Sequence, residues 1–251
     1  MSLLTEPTLL YWLIGAMGVA AILYSSVGHG GASAYLALMA LFAVSPDAMR
    51  PTALVLNICV ASIGAFRYVR SGQFEWKVFW PFAVTAVPMA FLAGRIHIPA
   101  DVYRPLLGIV LVLAAARYLF VPNLDLSKTI RAPKLMIALP TGGALGALAG
   151  LTGTGGGIFL SPLLVFMGWA DAKVAAGIAA LFILVNSSAG LAGRLSSLHQ
   201  LPSDLPLLIG AVVTGALIGT TANLRFFSRA FLLRALGLVL LIAGVPLILG
   251  L

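Results

Sequence analysis

The sequence predicts an all-α polytopic membrane protein made of two inverted repeats, each with a glycine-tipped helical hairpin followed by three transmembrane helices. The first observation is composition: 61% of residues are hydrophobic, 9% are charged and the mean hydropathy is +1.09, too apolar for a soluble domain of this length. The second is a pair of glycine clusters, residues 28–31 and 153–156, half a chain apart. The third is an uneven distribution of Lys and Arg between the predicted membrane faces.

Apolar stretches supply the predicted membrane segments, because roughly 20 such residues cross a bilayer. The long ones cover residues 8–27, 51–66, 78–94, 106–120, 135–151, 174–193, 205–224 and 230–251. Two shorter apolar stretches, residues 32–44 and 158–168, directly follow the glycine clusters. They are too short for comfortable full spans and are predicted to be half-helices.

The two halves resemble each other in four matches that occur in the same order. The matches are Gly28-His29-Gly30-Gly31 with Gly153-Thr154-Gly155-Gly156, Asp47 with Asp171, Asn57 with Asn186, and Leu107-Gly108 with Leu236-Gly237. Their nearly constant offset predicts an internal repeat. We therefore divide the chain into a first repeat at residues 1–121, a cytoplasmic linker at 122–134 and a second repeat at 135–251.

The basic residues predict the topology. If each glycine cluster is the tip of a hairpin that enters and leaves on one side, the two faces collect very different numbers of basic residues. One face collects four, Arg50, Arg95, Arg104 and Arg194. The other collects eleven, Arg67, Arg70, Lys77, Arg117, Lys128, Arg131, Lys134, Lys173, Arg225, Arg229 and Arg234.

A single crossing by each broken segment would instead give faces with eight and seven basic residues. Cytoplasmic loops are enriched in Lys and Arg, so the hairpin arrangement is preferred. It places the linker in the cytoplasm and both termini outside. The depth of the hairpin arms stays open.

The glycine clusters are the predicted substrate site. Irregular backbone at membrane depth persists only where it lines a site or cavity, and a half-helix N-terminus offers free N–H groups and the positive end of the helix dipole. We expect Gly28, Gly30, Gly31, Gly153, Gly155 and Gly156 to cradle a small anion. Close helix packing is the alternative, and it is preferred for Gly142, Gly146 and Gly150, whose four-residue spacing forms a packing ridge.

Several polar side chains are candidate ligands in the same runs. Residues 7–46 contain no Asp, Glu, Lys or Arg, and His29 is the single ionisable candidate among them. Either anion binding coupled to protons or a structural hydrogen bond explains it equally well. Asn57, about six residues into its helix, and Asn186 can donate to an anion or join helices. Thr154 stands at the position that matches His29 in the second half. Weaker candidate donors, any one of which more often bonds to its own helix, are Ser25, Ser26, Ser33, Thr152, Ser187 and Ser188.

Charged residues near the helix ends and the absent motifs narrow the function further. Arg67 and Arg194 end matching helices and are candidates for the two mouths of a path, although side chains reaching the interface explain them better. All seven acidic residues lie outside the predicted apolar cores, which disfavours a cation pump. No metal-ligand spacing, cofactor motif or catalytic set is present, so neither an enzyme nor a bound cofactor is expected. The single cysteine, Cys59, is expected to be a small buried apolar residue.

The Gly-His-Gly-Gly and Gly-Thr-Gly-Gly-Gly blocks, Arg50-Pro51-Thr52-Ala53 and the two asparagine-bearing helices resemble the sulfite exporter TauE/SafE family over nearly the whole chain. The resemblance implies an inner-membrane transporter of sulfite, sulfoacetate or related anions. A thiosulfate-importing branch uses cysteines along its path, and one cysteine is too few for that pattern.

The expected function is therefore secondary export of a small sulfur-containing anion across a bacterial inner membrane, by alternating access and with proton coupling as an option. The alternatives are a passive anion channel, an assembly subunit without transport of its own, or an importer of another small organic anion. Membrane lipids are expected partners, nucleic acid is not, and a homo-oligomer stays an open alternative.

Overall fold

The computed structural model describes residues 3–4, 6–26, 29–120, 132–221 and 229–249, and all regular structure in these ranges is helical. The ten α-helices are α1 Pro7–Ser26, α2 Ala32–Leu41, α3 Pro46–Arg70, α4 Trp76–Gly94, α5 Ala100–Phe120, α6 Leu135–Thr152, α7 Gly157–Phe166, α8 Ala172–Gly193, α9 Leu205–Thr221 and α10 Arg229–Leu249. A short 3-10 helix, Leu195–Gln200, connects α8 to α9. The all-α fold class is confirmed.

Most bounds of the predicted segments lie within two or three residues of these helices, but α3 ends at Arg70 instead of residue 66, and two starting points differ more. Helix α3 begins at Pro46 instead of residue 51, and α5 begins at Ala100 instead of residue 106. Proline is favoured at the first position of a helix, where its missing N–H costs no hydrogen bond, so Pro46 starts α3 and Pro51 lies inside it. Asn57 is consequently the twelfth of 25 residues in α3, near its middle, and the expectation of about six residues was wrong.

The outer surface identifies a multi-pass membrane protein. Among the described residues, five helices are long and apolar enough to cross a membrane: α1, α3, α4, α6 and α8. Large apolar side chains point outward, including Trp12 at 69% exposure, Phe66 at 63% and Met136 at 89%. A protein in water does not present so many large apolar groups over its whole surface, whereas lipid accommodates them.

Acidic residues stand at the starts of helices. Asp47 and Asp101 lie in the first turns of α3 and α5, while Glu75 and Asp171 are the N-caps of α4 and α8. The Asp171 carboxylate accepts hydrogen bonds from two N–H groups of the first turn, at 2.8 and 2.9 Å. Carboxylates stabilise helix N-termini through the free N–H groups and the dipole, which accounts for these positions without a membrane function.

Small residues allow neighbouring helices to pack closely. A Cβ atom at Gly142, Gly146 or Gly150 of α6 would lie 2.1 to 2.3 Å from carbonyl oxygens of α4. The packing ridge predicted for these three glycines is thereby confirmed. Because they meet Phe82, Ala86 and Ala90 in this order, α4 and α6 run in the same direction.

Helices of the first half of the chain pack against helices of the second half. Helix α1 packs against α9 as α6 packs against α4, while α3 packs against α8 and α5 against α10. If α1 to α5 exchange places with α6 to α10 in the same order, the set of pairs stays the same. Gly215 and Gly219 of α9 meet Gly18 and Ile22 in order, so α1 and α9 also run in the same direction.

Candidate functional site

The two breaks, between α1 and α2 and between α6 and α7, meet at one side chain. A Cβ atom on Gly30 would lie 2.6 Å from Asn57 Oδ1, and one on Gly155 would lie 2.5 Å from Asn57 Nδ2. The same hypothetical atoms would lie 3.1 and 3.0 Å from Ile183 Cγ2. Both breaks therefore need glycine, because helices α3 and α8 press against their backbones from Asn57 and Ile183.

Asn57 connects the two breaks through its amide. Its Oδ1 accepts from Ala32 N–H at 3.2 Å, at the start of α2. Its Nδ2 donates to Thr154 O at 3.4 Å and to Ser187 Oγ at 3.2 Å. The side chain is completely buried, so these bonds replace water for the groups involved. Asn57 thus caps α2 with the kind of oxygen that an anion would otherwise supply.

His29 joins the first break to the second hairpin. Its Nε2 lies 2.9 Å from the Ser161 Oγ of α7, and its backbone N–H donates to Tyr24 O at 2.9 Å. The imidazole is 8% exposed. A protonation change at His29 would therefore act directly on a contact between the two halves.

Tyrosines hold the rest of the first break. The Tyr24 hydroxyl lies 2.9 Å from Ser33 Oγ, and the Tyr35 hydroxyl donates to Gly30 O at 3.1 Å. Gly31 has a φ of 97°, in the left-handed region where glycine is favoured. A Cβ atom there would also lie 2.6 Å from the Tyr35 hydroxyl. Gly28, the remaining glycine predicted for this cluster, lies outside the described residues.

Threonines organise the second break. The hydroxyls of Thr152 and Thr154 are 2.9 Å apart, and the Thr152 hydroxyl donates to Leu148 O at 2.7 Å. Gly153, Gly155 and Gly156 all have positive φ values, 85°, 75° and 74°. Three left-handed residues within four positions reverse the chain sharply, so that α7 starts beside the end of α6.

Asn186 differs from Asn57 in its hydrogen bonding. It is completely buried, and neither polar atom of its amide has a hydrogen-bond partner among the described residues. On α8 it is three residues from Ile183 and one from Ser187, so Ile183 is its neighbour on the helix surface. Asn186 is therefore a buried amide without a partner among the described residues, on the helix that also carries Ile183 and Ser187.

The two arginines predicted at the mouths lie at opposite ends of the bundle. Arg67, near the end of α3, donates a hydrogen bond to Thr220 Oγ1 of α9. Arg194, the C-cap of α8, is buried and donates from Nη2 to Ile96 O at 3.0 Å. Its burial contradicts the expectation that this side chain reaches the interface.

Several residues at the site carried no clear signal in the sequence. Ile183, Tyr35 and Ser161 read as ordinary apolar or weakly polar helix residues. Arg50 was counted only as one of the basic residues of a membrane face and as part of a family motif, yet it is 3% exposed. The predicted segment begins at residue 51 and leaves Arg50 outside it, whereas the earlier start of α3 places Arg50 inside the helix.

Two broken helical hairpins that meet inside a multi-pass bundle are an arrangement that membrane transporters use. Comparison with known proteins gives the same class: the chain is 39% identical over 236 residues to the "Probable membrane transporter protein y4hK" of Sinorhizobium fredii (strain NBRC 101917 / NGR234), covering 93% of this chain and 96% of the relative. The family described as "Sulfite exporter TauE/SafE" matches residues 13–247. The chain belongs to this family of membrane transporters. No solved structure matches it.

Proposed function

We propose that this chain is a secondary transporter that exports sulfite or a small organosulfonate across a bacterial inner membrane, with the anion bound where the two breaks meet. The observation that carries the proposal is the convergence of Gly30 and Gly155 on Asn57 and Ile183. Asn57 lies at the middle of α3, the longest helix, so the meeting point is deep in the membrane.

The chemistry of this point suits an anion. The starts of α2 and α7 direct the positive ends of two helix dipoles toward it. The described acidic residues stand at helix N-termini or before them, away from the breaks. Sulfite and sulfonates present three oxygen acceptors on one sulfur, and the amide of Asn186 is an uncharged donor that has no hydrogen-bond partner among the described residues.

The Asn57 amide occupies the space between the two glycines. An anion therefore binds beside it, against Asn186 and the first turns of α2 and α7, or takes over its role at Ala32 N–H. The second option couples occupancy to geometry, because releasing Asn57 from Ala32 and Thr154 would loosen the contact between the breaks. A site whose closure depends on the ligand is what alternating access requires.

Alternating access also requires two halves that exchange roles, and the helix directions support inverted repeats. Helices α1 and α9 run together, as do α4 and α6, while α3 runs opposite to α8. Arg67 and Thr220 join the ends of α3 and α9, which makes these two helices parallel. The two hairpins accordingly open toward opposite ends of the bundle, and the positive-inside count assigns the linker end to the cytoplasm.

Flux measurements on the purified protein in proteoliposomes test the proposal. We expect uptake of radiolabelled sulfite to saturate with concentration, to show counterflow and to respond to a pH gradient. A Gly143→Ala variant should transport sulfite as the unaltered protein does, because a Cβ at this position meets only ordinary contacts at 3.7 and 3.8 Å. Unsaturable, voltage-driven current would identify a channel and overturn the transporter assignment.

A further inference from the structure

Two buried arginines lie together at a different depth from the point where the glycine breaks meet at Asn57. Arg50 of α3 is 3% exposed and Arg194 at the end of α8 is 5% exposed. Within the described residues their hydrogen bonds go only to backbone carbonyls: Arg50 Nη2 to Gly150 O at 3.3 Å, and Arg194 Nη2 to Ile96 O at 3.0 Å. The Nε atom of each is buried and has no hydrogen-bond partner in the part of the chain that the structure describes.

The pairing of α3 with α8 places these side chains opposite each other. The contacts that define the pairing are Leu54 with Gly190, Asn57 with Ser187, and Gly64 with Ala180. They follow one antiparallel register, in which moving back along α3 corresponds to moving forward along α8. Seven residues before Asn57 is Arg50, and seven residues after Ser187 is Arg194.

The pair lies beside the second break but at a different depth. Arg50 stands over the ring of Tyr103, with its Cζ 5.2 Å from the ring centroid, and the Tyr103 hydroxyl donates to Thr152 O at 3.0 Å. A Cβ atom on Gly153 would lie 3.5 Å from Arg50 Cα. Seven residues of α-helix separate Arg50 from Asn57 by about 10 Å along α3 and leave both on one face.

Two neighbouring buried cations are costly when, as for these two among the described residues, neither forms an ion pair with a carboxylate. The register of α3 and α8 brings the two arginines to the same level of the bundle, and Asp47, in the first turn of α3, is an exposed carboxylate at the same end. Burial lowers the pKa of Arg194, and Tyr103 and Asp47 oppose this shift. The hydrogen bonds to Gly150 O and Ile96 O account for one nitrogen of each guanidinium. They do not account for the position of the two arginines next to each other or for the Nε atoms, which have no partner among the described residues.

We propose that Arg50 and Arg194 form a second binding site for a small oxyanion, on the path between the glycine breaks and the face of the membrane where α3 begins. The proposal rests on the proposed transport of an anion. A guanidinium offers Nε–H and Nη–H as a fixed pair of donors that fits two oxygens of a sulfite or sulfonate group. The positive-inside count indicates that α3 begins at the outer face of the membrane. An exported anion would therefore bind at this site last, before its release to the outside.

Equilibrium binding of radiolabelled sulfite to the purified full chain in nanodiscs tests this site. We expect about two sulfite ions per chain in the unaltered protein and about one in Arg50→Gln and Arg194→Gln, which lose the paired donors. Arg50→Lys keeps the positive charge but loses the fixed pair of N–H donors, so we expect the affinity for sulfite at this site to fall about tenfold or more. Arg95→Gln is the matched control, because Arg95 is exposed and lies at the same end of α8.

The outcomes separate this site from the proposed function. Sulfite binding that stays at about two per chain in both Gln variants overturns the arginine site and leaves the transporter proposal intact. If the Gln variants unfold at a lower temperature but still bind about two sulfite ions per chain, the arginine site is also overturned, and the arginines serve to cap backbone carbonyls. Absence of sulfite binding by the unaltered chain overturns both proposals. If a Gln variant does not fold, the Arg50→Lys affinity decides, and an affinity equal to that of the Arg95→Gln control contradicts the proposal.

Discussion

Replacing Gly155 by alanine is the sharpest perturbation of the point where the breaks meet. The new Cβ would lie 2.5 Å from Asn57 Nδ2 and 3.0 Å from both Ile183 Cγ2 and Ser187 Oγ. These atoms belong to two packed helices, α3 and α8, so they cannot all move away. Gly155 also has a φ of 75°, which alanine adopts at a cost.

The magnitude follows from these two effects. A left-handed conformation costs a non-glycine residue roughly 1–2 kcal/mol. Overpacking adds roughly 1–3 kcal/mol, and displacement of Asn57 weakens its bonds to Ala32 and Thr154. We therefore expect Gly155→Ala to cost about 2–5 kcal/mol of folding free energy and to abolish transport.

Gly72→Ala separates conformation from crowding. Gly72 has a φ of 70°, and nothing lies within 4 Å of its hypothetical Cβ. This control should lose only about 1–2 kcal/mol and should transport sulfite normally. Thermal unfolding in detergent and proteoliposome flux measure the two quantities. Equal destabilisation by the two variants, or transport by Gly155→Ala, would refute the reasoning that the breaks meet in a crowded, functional contact.

The other predictions concern the asparagines, the histidine and the topology. Asn57→Ala should cost about 1–3 kcal/mol of folding free energy because it leaves buried partners unsatisfied. Asn186→Leu should leave stability near that of the unaltered protein and reduce the stabilisation by added sulfite. Equal loss of stability in the two variants would contradict this distinction. His29→Ala should fold and should flatten the pH dependence of transport, since the imidazole is the titrating group at the breaks; an unchanged pH profile would make its bond to Ser161 purely structural. In a background without the native cysteine, Lys134→Cys should resist an impermeant reagent in intact cells while Arg95→Cys reacts, and the reverse pattern would invert the topology.

The sequence predicts most of the helix bounds because apolar length and charge placement dominate in a membrane. The start of α1, the end of α4 and the start of α7 fall within a residue or two of the predicted segments. The start of α3 was misplaced because Pro51 resembles a helix start, whereas Pro46 occupies the favoured first position. Local signals therefore compete wherever two prolines stand within two turns of each other.

The contacts of the site depend on helix pairing, which local patterns do not determine. Asn57 and Asn186 match in sequence, yet one is fully hydrogen-bonded and the other has no partner among the described residues. That difference arises from which helix faces each side chain, a property of the whole bundle. Arg50 and Arg194 are likewise far apart in the sequence, and only the antiparallel register of α3 and α8 brings them together.

A structure of the protein with bound sulfite tests the central claim most directly. We expect the anion to contact the first turn of α2 or α7 and the Asn186 amide, next to Gly30 and Gly155. An additional anion at Arg50 and Arg194 would agree with the second site. Sulfite located only more than about 10 Å, one helix diameter, from both glycine breaks would show that the glycines serve packing alone and would contradict the account.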